Sequence, residues 1–189
     1  MPTVVAAAAA PAEAASPSPQ INRSFLVTRA PAVAGPGTPD TACGSTSTRL
    51  SITTDDVNYY YRITKLRPGS TVTNVTASVL VQKSVVDKLS NGLTWTSATK
   101  DWSNPTRDVS GAKYIDNGIE YYRYYSTRNT AVTAPASGTI TLPRIQWYSN
   151  CSTNLLTQAQ STGVMVNGRG SAVVNGTTTL VNVGAYRTV

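Results

Sequence analysis

KYIDNGIEYYRYY, residues 113–125, decides the fold. Asn117-Gly118 stands between two short apolar–polar alternations. An Asn-Gly pair in that position predicts a tight β-hairpin, because both central residues of a type I′ turn need positive φ. The strand leaving the turn carries Tyr121, Tyr122, Tyr124 and Tyr125 around Arg123. Successive side chains of a strand leave on opposite faces. Tyrosines at both parities therefore place an aromatic ring on each side of the sheet. One side is core; the other must meet a second layer, another subunit or a ligand.

The same reading extends in both directions. VNYYYRIT (57–64) alternates with Val57, Tyr59, Tyr61 and Ile63 on one face and Asn58, Tyr60, Arg62 and Thr64 on the other. Arg67-Pro68-Gly69-Ser70 is a turn, and TVTNVTASVLV (71–81) is a β-branched strand. QKSVVDKL (82–89) predicts one or two helical turns. LTWTSAT (93–99) resumes a strand with Leu93 and Trp95 on one face, and DWSNPTRDVSG (101–111), without a period, is a loop. TITLPRIQWY (139–148) is a strand whose Pro143 predicts an edge or a bulge. CSTNLLTQAQ (151–160) is the best helix candidate. In the tail, Asn167-Gly168 and Asn175-Gly176 predict tight hairpin turns, and Asn91-Gly92 makes a fourth Asn-Gly step. About eight short strands between residues 48 and 184 predict an all-β antiparallel sandwich, a jelly roll or a small barrel.

The first forty residues differ. MPTVVAAAAAPAEAASPSPQ and APAVAGPGTPD hold seven of the 11 prolines and show no periodicity, so they have little with which to build a core. INRSFLVTR between them is short and apolar enough to dock as one strand. The division expected is an Ala/Pro-rich arm over 1–40 and a shell-type sandwich domain over 41–189. No Lys or Arg precedes the apolar run Val4–Ala10, and Pro11 and Glu13 interrupt it, so a chain made and used without export is expected. No apolar run approaches the length of a membrane span.

The chain has no His and 2 Cys. That excludes a Ser-His-Asp or Cys-His pair within one chain, and any His-bearing metal site. The carboxylates stand mostly at turns; Asp116 and Glu120 flank the hairpin, and Asp55-Asp56 lacks the spaced oxygen ligands of a calcium loop. No enzyme activity, metal or cofactor is expected. NGRGSAVVNG (167–176) places Gly168 and Gly170 as turn residues and not as a phosphate loop. Cys43 and Cys151 read as separate buried small side chains, with a disulfide between them as the alternative.

Charged residues make up 13% of the chain, about half the usual globular share. A surface of neutral hydroxyls suits close contact between like copies. The net charge of +7 resides in residues 41–189, since the first forty residues are neutral. Its basic side chains are spread, so any polyanion-facing surface is drawn from several strands: Arg62, Lys65, Arg67, Arg123 and Arg128 are the candidates for facing nucleic acid. Phe25, Tyr60, Tyr122 and Tyr124 are the candidates for a subunit interface, since aromatic rings are enriched there.

An arm followed by a compact Thr/Val-rich β domain resembles the coat proteins of small icosahedral viruses. The resemblance covers the whole chain and lies in organisation, without a signature motif. It implies a jelly-roll-like sandwich, an arm threaded between subunits, many copies closing into an icosahedral shell in a virion, and contact with genomic RNA or DNA. Many such arms are rich in Arg and Lys; this one is neutral, which leaves genome contact to the folded domain. A phage decoration or tail protein shares the composition. A secreted β-sandwich adhesin or carbohydrate-binding module is the third reading.

Overall fold

The computed structural model describes residues 18–35, 41–128, 130–153, 155 and 163–189. The strands are β1 (Gln20–Ser24), β2 (Leu26–Ala30), β3 (Arg49–Thr53), β4 (Tyr60–Thr64), β5 (Thr71–Gln82), β6 (Trp95–Ser97), β7 (Thr106–Arg107) and β8 (Tyr114–Asp116). They continue with β9 (Ile119–Arg128), β10 (Val132–Thr133), β11 (Ile140–Thr141), β12 (Gln146–Ser149), β13 (Met165–Val174), β14 (Thr178–Asn182) and β15 (Arg187–Thr188). A short helix, α1 (Lys83–Val86), falls where a helical turn was expected, and Thr153 and Leu155 of the second expected helix are helical. Of the other expected helix, 154 and 156–160 lie outside the described residues, as do 1–17 and 36–40 of the expected arm.

Two antiparallel layers face each other. One is a bent layer in two parts: β1-β4-β11 at one end and β2-β3-β12-β6 at the other. The bend has local causes. Phe25 separates β1 from β2, the loop 54–59 separates β3 from β4, and Pro143 lies between β11 and β12. In that loop the Asp55 carboxylate accepts the backbone amides of Val57, Asn58 and Tyr59, so the strand expected over 57–64 begins only at Tyr60. The other layer runs β14-β13-β5-β9-β7, with β8 on β9, β10 on β5 and β15 on β13.

Taken as seven long runs (20–30, 49–64, 71–82, 119–128, 140–149, 165–174, 178–182), the first layer orders them first, second, fifth. The second layer orders them seventh, sixth, third, fourth. These are the A-B-E and G-F-C neighbours of immunoglobulin-type sandwiches, with the fourth run extending the second sheet.

Residues 20–30 are part of this sandwich. Ile21, Phe25 and Val27 are buried, and the segment INRSFLVTR, expected to dock as one strand, docks as β1 and β2. Aromatic rings cross the core in a row: Phe25 to Tyr61 at 5.8 Å, Tyr61 to Trp102 at 6.2 Å and Trp102 to Trp147 at 6.1 Å. The hairpin at Asn117-Gly118 forms as expected, both residues with positive φ. Asn167-Gly168 does not turn. It lies inside β13, where Gly168 and Gly170 face the core and leave room for the rings of Phe25 and Tyr61.

Candidate functional site

Strand alternation separates the basic residues into three places. Tyr61 and Ile63 point into the core, so Arg62 leaves on the outer face of the first layer. There it covers the Tyr60 ring at 4.4 Å and donates to the Asp56 carbonyl. Tyr124 and Ser126 are buried on the inner side of β9, so Arg123 leaves on the outer face of the second layer. Those two do not share a surface.

Lys65, Arg67 and Arg128 do share one end of the sandwich. Lys65 and Arg67 occupy the turn between β4 and β5. Arg128 ends β9 opposite Val75, and the β13–β14 turn reaches the same end through Asn175, whose side chain accepts the Thr71 amide. None of the three has an ion-pair partner among the described residues. The segments that build this pole, 64–71, 128–139 and 174–178, contain no Asp or Glu. A groove of about 250 Å³ opens here between Ser18, Pro19, Lys65, Arg67, Asn175 and Thr178. Ser18 and Pro19 therefore lie beside Lys65 and Arg67.

The outer face of the second layer carries an Arg/Tyr shelf. Register sets Tyr125 and Arg169 on either side of Ser78, and Arg123 and Asn167 on either side of Leu80. Tyr186 folds over this face, 4.5 Å from the ring of Tyr121, and its hydroxyl accepts Arg169 Nη2 at 2.9 Å. Arg123 Nη1 meets Asp108 Oδ2 at 3.3 Å, while the Tyr114 hydroxyl donates to the same oxygen at 2.9 Å. Hydrogen bonds from Ser110, then from Tyr114 and Arg123, outweigh burial and hold the Asp108 carboxyl down at about 2. Arg123 is thus neutralised. Arg169 has no carboxylate partner among the described residues, and its Nε is enclosed without an acceptor. Between the two arginines lies a cavity of about 210 Å³ bounded by Ser78, Tyr114, Ser171 and Val181.

The expected interface residues divide as well. Phe25 is 1% exposed and Tyr124 2%, so both are core residues and offer no free surface. Tyr60 and Tyr122 are half-buried at the surface. Arg107 stacks over Tyr122 at 3.6 Å, and the Tyr122 hydroxyl donates to Asp87 at 2.8 Å. Sequence reading did not single out Arg169, Tyr114, Asp108 or Tyr186 as a group. The signal available was the parity of Arg169 on an uninterrupted β13, hidden by reading Asn167-Gly168 as a turn.

Cys43 and Cys151 form a disulfide, with Cα atoms 5.7 Å apart across 108 positions of sequence. This replaces the expectation of two separate thiols. Pairing of β2 with β3 and of β3 with β12 brings the two segments together. Arg49, 8% exposed, donates Nε to Cys43 Sγ at 3.2 Å and Nη2 to Cys151 Sγ at 2.7 Å.

Asp116 pairs across the hairpin with Ile119, and Glu120 with Ile115, so the two carboxylates leave on opposite faces. Among the described residues no group of three His, Cys, Asp or Glu gathers as a metal site, and no helix is long and apolar enough to cross a membrane. No family model, no curated protein and no solved structure matches the chain.

Proposed function

We propose that the chain is a viral structural protein, a coat subunit that closes with copies of itself into an icosahedral shell around the genome. The observation that carries this reading is the acid-free pole. Lys65, Arg67 and Arg128 stand there without ion-pair partners among the described residues, the first two beside Ser18 and Pro19. In a shell, that arrangement turns one end of every subunit, together with its arm, toward a polyanion. Closed symmetry is required, because a repeated contact between unlike patches otherwise grows filaments. The jelly-roll form expected for such shells agrees with this chain in being two packed antiparallel sheets. The order of neighbours is of the immunoglobulin type, so the shell reading rests on the pole and not on the fold.

A second reading is favoured by the disulfide and the Arg/Tyr shelf. Disulfides persist on virion and cell surfaces and in secreted proteins, which the expectation of use without export did not anticipate. A decoration or tail protein on a particle, or a secreted adhesin, fits both features. Electron microscopy of the purified chain, alone and with added RNA or DNA, separates the readings. Uniform spheres support the shell, rings or tubes support the tail protein, and a monomer under every condition overturns the shell. Charge reversal of Lys65, Arg67 and Arg128 together should abolish nucleic-acid-dependent particles without unfolding the domain.

A further inference from the structure

The cavity between Arg123 and Arg169 has the composition of a ligand site. We propose that it binds an acidic sugar unit, a uronic- or sialic-type ring, with the ring's carboxylate held by Arg169. This inference gives substance to the adhesin reading, but it stands or falls on sugar binding alone, whether or not particles form.

Asp108 neutralises Arg123 and, with Tyr114, ties it in place. Of the two arginines that line the cavity, Arg169 is the one without a carboxylate partner among the described residues. One such guanidinium suits one carboxylate, which a planar guanidinium recognises through two parallel hydrogen bonds. A nucleic-acid strand needs a row of cations along its backbone, and the acid-free pole, not this shelf, offers several.

The walls supply the rest. Ser78 lies 2% exposed between Tyr125 and Arg169, and Ser171 stands beside it on β13, so hydroxyls line the floor. Val181, 64% exposed, and the half-buried Tyr114 form apolar sides. Hydroxyl donors and acceptors beside a ring face are what a pyranose, apolar on one face and polar at its rim, requires. A bare inorganic anion would make no use of Val181. At about 210 Å³ the cavity lies below the roughly 300–1,000 Å³ of drug-sized pockets, which fits a single ring. The site is also braced. Arg169 lies within 5.8 Å of the Tyr114 and Tyr186 rings and donates to the Tyr186 hydroxyl, so little side-chain entropy remains to be lost on binding.

Titration calorimetry on the full chain tests this, with oligosaccharides containing glucuronate, galacturonate or sialic acid as probes. At least one should bind at millimolar concentration or tighter, and reduction of its carboxylate to the alcohol should weaken it about tenfold or more. Arg169→Gln should cause a similar loss. Val181→Trp, at an exposed position, should block the cavity without touching the arginines, and so serves if Arg169→Gln fails to fold. Inorganic phosphate and a single-stranded RNA are the competing probes. The proposal is overturned if no acidic oligosaccharide binds or if the carboxyl-reduced sugar binds equally well. It is also overturned if phosphate or RNA binds more tightly in a manner that Arg169→Gln abolishes.

Discussion

Tyr61 stands directly on Gly170: a Cβ at Gly170 would lie 2.6 Å from the phenolic oxygen and 2.7 Å from Cζ. The hydroxyl lies 3.0 Å from the carbonyls of both Thr76 and Ser171. One phenol of the first layer thus reaches the backbones of β5 and β13, the two long strands of the second. Gly170→Ala should destabilise the domain by about 1–3 kcal/mol, the usual cost of forcing atoms into a packed core. Tyr61→Phe removes the phenolic donor that these two carbonyls share, at about 1–2 kcal/mol. The alanine meets the atom that the phenylalanine removes, so the double variant should lose less than the sum. Urea unfolding of the four proteins measures this. A Gly170→Ala midpoint equal to wild type would contradict the close contact.

The disulfide holds the loop after β2 to Cys151, two residues after β12, across 108 positions. Replacing both cysteines by serine should lower stability by about 2–5 kcal/mol, through restored freedom of the unfolded chain and through Arg49, whose two sulfur contacts go. Mass spectrometry under non-reducing conditions should find no free thiol in the folded protein. Full alkylation of both cysteines without denaturant would contradict the bridge.

The sequence made the local parts legible and hid the distant ones. Asn117-Gly118 forms its turn because φ > 0 is a property of two adjacent residues, and nothing elsewhere in the chain opposes it. Asn167-Gly168 carries the same signal yet extends a strand, because the Phe25 ring, far away in sequence, needs a neighbour without a Cβ. The alternation of VNYYYRIT was right for Tyr61 and Ile63 and failed at Val57, 72% exposed, where Asp55 draws three amides into a loop. Both faces of the tyrosine strand are covered, as consecutive rings required: Tyr124 in the core and Tyr121 beneath Tyr186. Which basic residues meet was not legible, since Arg62 and Arg123 are separated by the whole thickness of the sandwich. Composition cannot say which face a strand turns outward.

That separation predicts a pattern of salt dependence. If the pole faces nucleic acid, affinity for single-stranded RNA should fall with rising salt, with a log–log slope of about −0.7 per phosphate neutralised. Lys65→Gln, Arg67→Gln and Arg128→Gln should each remove about that much slope. Arg62→Gln and Arg123→Gln should leave it unchanged. Equal effects from all five variants would mean diffuse attraction and no oriented pole.

The dependence of stability on pH should have a flat middle and two falling sides. With no His in the chain, no side chain ordinarily titrates between about pH 5 and 8. On the acid side, hydrogen bonds lower three carboxyls: Asp55 through backbone amides, first that of Tyr59; Asp87 through Lys83; and Asp108, down to about 2, through Ser110. Their stabilisation is complete above the ordinary aspartate value of about 4 and is lost as pH falls through the lowered values. On the alkaline side, burial raises Tyr61, Tyr114, Tyr121 and Tyr124, the last to about 12. Their stabilisation is complete below the ordinary tyrosine value of about 10 and is lost as pH rises through the raised values. Arg23, lowered to about 10 by burial and by the charges of Arg187 and Arg169, works in the opposite direction there. One arginine against four tyrosines leaves the net slope downward. Urea midpoints from pH 2 to 12 should therefore be level between about 5 and 9, fall below 4 and fall above 10. Tyr61→Phe should make the alkaline fall shallower and leave the acid fall as it was. An unchanged alkaline limb in that variant would mean that the phenol ionises as easily in the fold as in the open chain, which its burial against Thr76 and Ser171 does not allow.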